Sequence, residues 1–355
     1  MSRLPLGRVL AERIRRTGPL SVAEFMAEAV SHYYSGRDPF GSAGDFTTAP
    51  EISQMFGEMV GLWCAVVWQG MGQPGRVVLA ELGPGRGTLM ADLLRAAATV
   101  PAFRAAVEVH LVETSLALRK RQRATLKGVR VTWHQRFEDL PAGPLLLVAN
   151  ELFDALPIRQ FEKRGERWHE RLVGLDPAGA LAFVTGPAVE PPLAPAVLAA
   201  PEGSVAELCQ PGRALAAAIA ARVAEQGGAA LLFDYGPAAS AAGDSLQALK
   251  RHRFHPVLET PGEADLTAHV DFQALAEAAG ITQAWGPLTQ GEFLTRLGIA
   301  ARAGLLARSG GPKVLAEVTA QLRRLIDPAE MGTLFKALAI AHPNLPVPPG
   351  FERPP

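Results

Sequence analysis

The hydrophobic period changes twice along the chain. In the first part apolar residues recur at helical spacing. Leu6, Val9, Leu10 and Ile14 share one face of a helix near 4–16 that ends at Gly18-Pro19. Ser21 and Glu24 have the spacing of a capping box, which predicts a second helix to about His32. Beyond the polar loop YYSGRDPFGSAGDFTTAP, the stretch EISQMFGEMVGLWCAVVWQ reads as one amphipathic helix. From Val77 onward, short apolar runs alternate with helical patterns. Strands are predicted at 77–81, 107–112, 129–133 and 144–149, with helices at 88–98 and 116–126. After Pro157 the period drops to two. IRQFEKRGERWHERLVGLDPAGALAFV alternates apolar and polar residues, with turns at Arg164-Gly165 and Pro177-Ala178-Gly179, as an antiparallel meander does.

A Pro/Ala-rich loop covers 186–201, and Pro211 opens a helix that ends at Gly227-Gly228. AALLFDYG supplies a further strand. A helix near 271–279 closed by Gly280, a short strand ITQAW and helices within 290–325 follow. MGTLFKALAI fits a helix or a strand, and we assign a strand because a seven-stranded sheet needs one there. The expected fold is therefore α/β and Rossmann-like: a seven-stranded, mostly parallel sheet with helices on both faces. The expected divisions are an N-terminal helical region with a lid (1–72), the first part of the core (73–157), an inserted antiparallel meander (158–208) and the remainder of the core with a helical insertion (209–345).

The run VVLAELGPGRG, 77–87, carries the first chemistry. An apolar strand reaches Glu81, a turn spaced Gly83-Pro84-Gly85-x-Gly87 follows, and Thr88 is expected to cap the next helix. Glycines at such a turn let backbone approach a nucleotide-like ligand closely, beside a helix N-terminus. A dinucleotide fingerprint would need glycine at position 88, where this chain has threonine. The loop E-x-G-x-G-x-G resembles that of S-adenosylmethionine-dependent methyltransferases, and an acid at the strand end suits a cofactor with a free ammonium group. Glu113 ends the second strand, 26 residues beyond Gly87, where Rossmann-like sites place the acid that takes ribose hydroxyls. The alternative is a first-turn acid of the helix that Ser115 caps. Ligands of open α/β sheets bind outside the carboxyl ends of strands. Those ends here hold His134 to Phe137, including Gln135, then Asn150, Glu151 and Asp154, then Asp234.

Charge and composition narrow the class. Across 355 residues, Lys+Arg and Asp+Glu both total 35, so net charge does not argue for a polyanionic partner, and no basic–aromatic run suggests a nucleic-acid face. Cys64 and Cys209 lie in apolar contexts and suggest neither a disulfide framework nor a metal knuckle. The arginines of MSRLPLGRVLAERIRR interrupt any apolar core, so a structural helix is favoured over a secretory signal or transit peptide. The uncharged stretch Met59–Gly75 is too short to span a membrane. The expectation is a soluble, cytoplasmic protein.

Several blocks together resemble the MidA-like methyltransferases, a family related to the mitochondrial complex I assembly factor that methylates an arginine. They are GDFTTAPEISQMFGE (44–58), ELGPGRGTL (81–89), ANELFDALPIRQF (149–161), ERLVGLD (170–176), LLFDYG (231–236) and DLTAHVDF (265–272). The resemblance runs from about Pro19 to Ala341, and the chain starts almost directly at the first helix, as a bacterial member would. It implies S-adenosylmethionine as cofactor, a protein-arginine acceptor and a respiratory complex I subunit as partner. The cofactor residues expected are Glu81, Gly83, Pro84, Gly85, Gly87, Glu113, Gln135, Phe137 and Asn150, with Thr47 and Pro50 from a lid over the site. A guanidinium stays cationic at any working pH, so carboxylates that grip it would orient one nitrogen and stabilise charge as its proton leaves. Glu151 and Asp154 are the expected pair, with Glu51 and Asp234 as further catalytic carboxylates. Local alternatives are a turn role for Asp154 and a helix-start role for Glu51. For His269 and Asp271 we favour capping of FQALAEAA by Asp271, with His269 packed nearby. A small-molecule methyltransferase and an assembly factor without activity are the alternative functions; the intact glycines and acids speak against the latter.

Overall fold

The βα alternation that starts at Val77 builds one sheet. Its strands are β1 (Val77–Leu82), β2 (Val107–Val112), β3 (Val131–His134), β4 (Leu145–Asn150), β5 (Gly228–Tyr235), β6 (Ala284–Thr289) and β7 (Phe335–Ala341). They lie in the order β3-β2-β1-β4-β5-β7-β6. β1 to β5 run parallel, and β7 runs antiparallel to both β5 and β6. The chain thus leaves β1 toward one edge and returns at β4 toward the other, which puts the topological switch between β1 and β4. In the central strands β1, β4 and β5 alternate residues feed opposite faces, and both sets are buried. Leu146 and Val148 join a core with Phe56, Trp63 and Phe293, while Leu145, Leu147 and Ala149 are buried outside that cluster. Burial on both faces is why these strands read as continuous apolar runs.

The computed structural model describes residues 5–36, 48–280, 284–308 and 310–352, which fall into two compact units. The larger comprises Thr47–Leu152, Leu215–Ala238 and Leu275–Pro355 and contains the seven-stranded sheet. The smaller comprises Met1–Phe46, Phe153–Ala214 and Ala239–Ala274. In it the predicted meander appears as strands Arg159–Arg164, Arg167–Leu175 and Leu181–Val189. Two strands join it that periodicity did not reveal: Val205–Leu208 and the two-residue Leu20–Ser21. A further sheet of Gln247–Lys250, Arg253–His255 and Asp265–Thr267 was likewise hidden, because its strands are three or four residues long. The capping box forms as predicted: Ser21 N–H donates to Glu24 Oε2 at 2.9 Å and Glu24 N–H to Ser21 Oγ at 3.1 Å. Among the described residues, no helix is long and apolar enough to cross a membrane.

Two local expectations are corrected, and the strand assigned to the last segment is borne out. The stretch from Glu51 is two helices, Ala49–Ile52 and Gln54–Gly70, because Ser53 is extended and caps the second by accepting from Met55 N–H. Thr88 does not cap its helix: Gly87 occupies the cap position in a left-handed conformation, and the Thr88 hydroxyl donates to Glu51 instead. The last segment is a short helix, Met331–Leu334, followed by the strand β7. Asp271 does cap its helix, accepting from Ala274 N–H at 2.9 Å.

Helix Gln54–Gly70 crosses helix Thr88–Ala97 closely because Gly57 and Gly61, one turn apart, face it. A Cβ on Gly61 would lie 2.6 Å from the Leu93 carbonyl oxygen, and one on Gly57 would lie 2.6 Å from Asp92 Cβ. Gly61→Ala should therefore lower unfolding free energy by about 1–3 kcal/mol, the usual cost of overpacking. Urea denaturation would read this directly, and unchanged stability would mean that the helices have room to separate.

Candidate active site

β1, β2 and β4 end side by side, and each delivers a polar residue at its carboxyl end. Glu81 is the penultimate residue of β1 and only 3 % exposed. One interaction reaches it from the first turn of helix Thr88–Ala97, the Met90 backbone N–H, whereas Oε2 is buried with no hydrogen-bond partner among the described residues. Burial outweighs that single donor and pushes the carboxyl up to about 8. On the neighbouring strand β4, Asn150 Oδ1 is likewise buried and without a partner among the described residues. Two orphaned acceptors on adjacent strand ends match a ligand that brings N–H donors, as an ammonium does.

The glycine loop connects these ends. Gly83, Gly85 and Gly87 have φ of +63°, +50° and +81°, in the left-handed region that side chains disfavour. Gly83 N–H donates to Val112 O at 3.1 Å, which pins the loop to the end of β2. Pro84 is buried within it. Glu113 follows β2 and is buried. Its Oε1 accepts from Ser115 N–H at 2.7 Å and its Oε2 from Gln122 Nε2 at 3.2 Å. Burial raises its carboxyl above the usual range, and these donors pull the other way. Arg119 ties the two strand ends together through Nε to Glu113 O at 2.7 Å and a terminal N–H to His134 O at 2.7 Å.

Glu151 adopts φ +50°, a strained conformation for a residue with a side chain. Its Oε1 accepts from Ala49 N–H at 3.3 Å and Asn150 Nδ2 at 3.2 Å, while its own N–H donates to Phe233 O. Asp234, 1 % exposed, accepts from Leu152 N–H through Oδ2 and Tyr235 N–H through Oδ1, so it holds the backbone just beyond β4. Glu51 accepts from Thr88 Oγ1 at 2.5 Å and pairs with Arg86 at 3.7 Å, which latches the short helix Ala49–Ile52 to the glycine loop. Pro50 is buried in that helix.

Within the larger unit, the structure thus brings together Glu81, the glycines, Glu113, Asn150, Glu151, Asp234 and Glu51. Gln135 is exposed on the bend after β3, and Phe137 is buried with the Arg222 guanidinium 5.7 Å from its ring. Asp154 belongs to the smaller unit, where its carbonyl accepts from Ala268 N–H and where Tyr34 donates to a second buried acid, Asp265, at 3.2 Å. Thr47 and the rest of 37–47 lie outside the described residues. Sequence reasoning missed Gln122, although a signal existed: Leu118, Gln122 and Leu126 sit four apart on the buried face of one helix, and an amide among leucines there calls for a partner.

Glu81 gives a pH prediction. Its folded-state pKa lies above the unfolded one, so its contribution to stability is full below about 4.5 and is lost as pH rises through about 8. Ligand-free Glu81→Gln should match the parent near pH 5 and be the more stable protein at pH 8.5. Melting temperatures across that range provide the check; parallel curves would mean that Glu81 is ionised throughout.

Comparison with known proteins agrees with this geometry. Residues 59–288 match the family described as "Putative S-adenosyl-L-methionine-dependent methyltransferase". The Danio rerio protein named protein arginine methyltransferase NDUFAF7, mitochondrial, is 38% identical over 363 residues, spanning 93% of this chain and 85% of that protein. The Homo sapiens protein of the same name is 36% identical, spanning 95% and 83%. A crystal structure of a Burkholderia thailandensis relative bound to S-adenosyl-homocysteine superposes with a TM-score of 0.86 at 30% identity, covering 98% of this chain and 94% of that one. The chain belongs to the MidA-like family of S-adenosylmethionine-dependent methyltransferases.

Proposed function

We propose that the protein methylates an arginine side chain of a protein substrate, with a respiratory complex I subunit as the partner that the family resemblance implies. The names of its relatives support the arginine, over nearly the full length of the chain. The observation that carries the reading is Glu151, a carboxylate held at φ +50° beside the orphaned acceptors of Asn150 and Glu81. S-adenosylmethionine supplies an electrophilic methyl group on a sulfonium.

The chain's own residues do the rest by placement. Glu81 and Asn150 Oδ1 would hold the cofactor's ammonium, the backbone of 83–87 would support its body, and Glu113 would take the ribose hydroxyls. An in-line approach of nitrogen to methyl carbon leaves most of catalysis to positioning. Glu151 grips one edge of the guanidinium, orients the attacking nitrogen and stabilises the charge that shifts as its proton leaves. Ala49 N–H and Asn150 Nδ2 hold Oε1 of that carboxylate. Asp234 acts one step back, through the Leu152 and Tyr235 N–H groups. The Glu51–Thr88 bond keeps the segment that carries Ala49 against the glycine loop.

Glu151→Gln should leave cofactor affinity within a few-fold of the parent and lower methyl transfer by about 100-fold or more. Calorimetry with S-adenosylhomocysteine reads the first quantity. Mass spectrometry of arginine-containing respiratory subunits, from cells with and without the gene, reads the second. Unchanged arginine methylation there, with turnover of a small acceptor by the purified protein, would overturn the protein-arginine reading in favour of a metabolite.

A further inference from the structure

Gln122 is fully buried on helix Leu116–Thr125 and reaches three other parts of the larger unit. Its Nε2 donates to Gly85 O at 2.8 Å and to Glu113 Oε2 at 3.2 Å, and its Oε1 accepts from Trp133 Nε1 at 2.9 Å. A carboxamide has two N–H donors, and both are used. The amide can face only one way. The indole N–H is a donor alone, so it must meet Oε1, and a flipped amide would set its oxygen against two acceptors. Without the amide, the Gly85 carbonyl and the Glu113 carboxylate would both lose a donor in a buried place, which is costly. The same side chain packs beneath the loop: a Cβ on Gly87 would lie 3.5 Å from Gln122 Cγ.

We propose that Gln122 is a positioning residue for the cofactor, a buried crosslink that fixes the glycine loop and the Glu113 carboxylate relative to one another before the ligand arrives. Trp133 on β3 sets the orientation of that crosslink. A site assembled in advance binds more tightly because less must be ordered on binding. The inference rests on the reading of Glu113 as the acid that meets the ribose hydroxyls. It concerns the cofactor alone and is independent of the methyl acceptor.

The test is a binding cycle with the full-length protein and two probes: S-adenosylhomocysteine and its analogue lacking both ribose hydroxyls. Gln122→Met keeps length and apolar bulk but removes both donors. It should weaken S-adenosylhomocysteine at least tenfold and the analogue by a clearly smaller factor, because the contact to Gly85 serves both ligands whereas the contact to Glu113 serves only the one that carries the hydroxyls. Equal losses for the two ligands would make Gln122 a merely structural residue, and no loss for either would also overturn the proposal. Should Gln122→Met fail to fold, Trp133→Phe is read in the same way. It keeps both amide donors but frees the amide to turn, and it should weaken S-adenosylhomocysteine several-fold and by more than the analogue; equal losses or unchanged affinity would overturn the proposal. Glu113→Gln separates the two levels of the argument. If it also binds both ligands as the parent does, the assignment of Glu113 fails. If it discriminates and Gln122→Met does not, only the role of Gln122 fails.

Discussion

Buried acceptors at the carboxyl ends of parallel strands are the constraint around which this site is organised. A carboxylate withdrawn from water must find donors or stay protonated. Each acid near the switch point meets this demand differently. Asp234 takes two backbone N–H groups, Glu113 takes Ser115 N–H and an amide, and Glu81 receives, among the described residues, only the Met90 N–H. The shortfall at Glu81 and Asn150 is what singles out the ligand pole of the sheet. An ammonium would satisfy both, so the desolvation cost the fold carries without ligand becomes a source of selectivity for a cationic one.

The surroundings keep these groups from relaxing. Glu58, 3 % exposed on helix Gln54–Gly70, pairs with Arg95 at 3.2 Å and with Arg302 through two bonds of 2.7 and 3.0 Å. Three helices are thereby joined behind the sheet, and the close crossing at Gly57 and Gly61 leaves them no slack. On the ligand side, Glu51 joins the short helix Ala49–Ile52 to Thr88. The strained φ of Glu151 persists because Phe233 O, Ala49 N–H and Asp234 over-determine the turn that contains it. Motion at this pole is therefore expected in the ligand and the substrate more than in the strand ends.

The boundaries of the core elements were legible because each obeys local physics. Apolar runs buried on both faces mark β1, β4 and β5, the glycine spacing marks a loop with φ above zero, and Ser21 and Glu24 form the box that their spacing predicts. The acids at strand ends were legible as well, because strand-then-helix patterning tells where a parallel sheet ends. What those acids bond to was not. Glu51 and Thr88 each looked like a helix-start residue, and only folding shows that they bond to one another across 37 positions.

By itself, then, the chain's pattern determined the α/β class, the E-x-G-x-G-x-G loop and the polar residues Glu81, Glu113, Asn150, Glu151 and Asp234 at the strand ends, since these depend on interactions between near neighbours. The tertiary structure decided what those residues do. It broke the helix at Ser53, built the short strands of the smaller unit, placed Asp154 in that unit and turned Gln122 into a link between Gly85, Glu113 and Trp133. The reason is physical. Hydrogen bonds between side chains far apart in sequence, and strands of two to four residues, leave no periodic trace, because their partners are chosen only when the chain closes on itself.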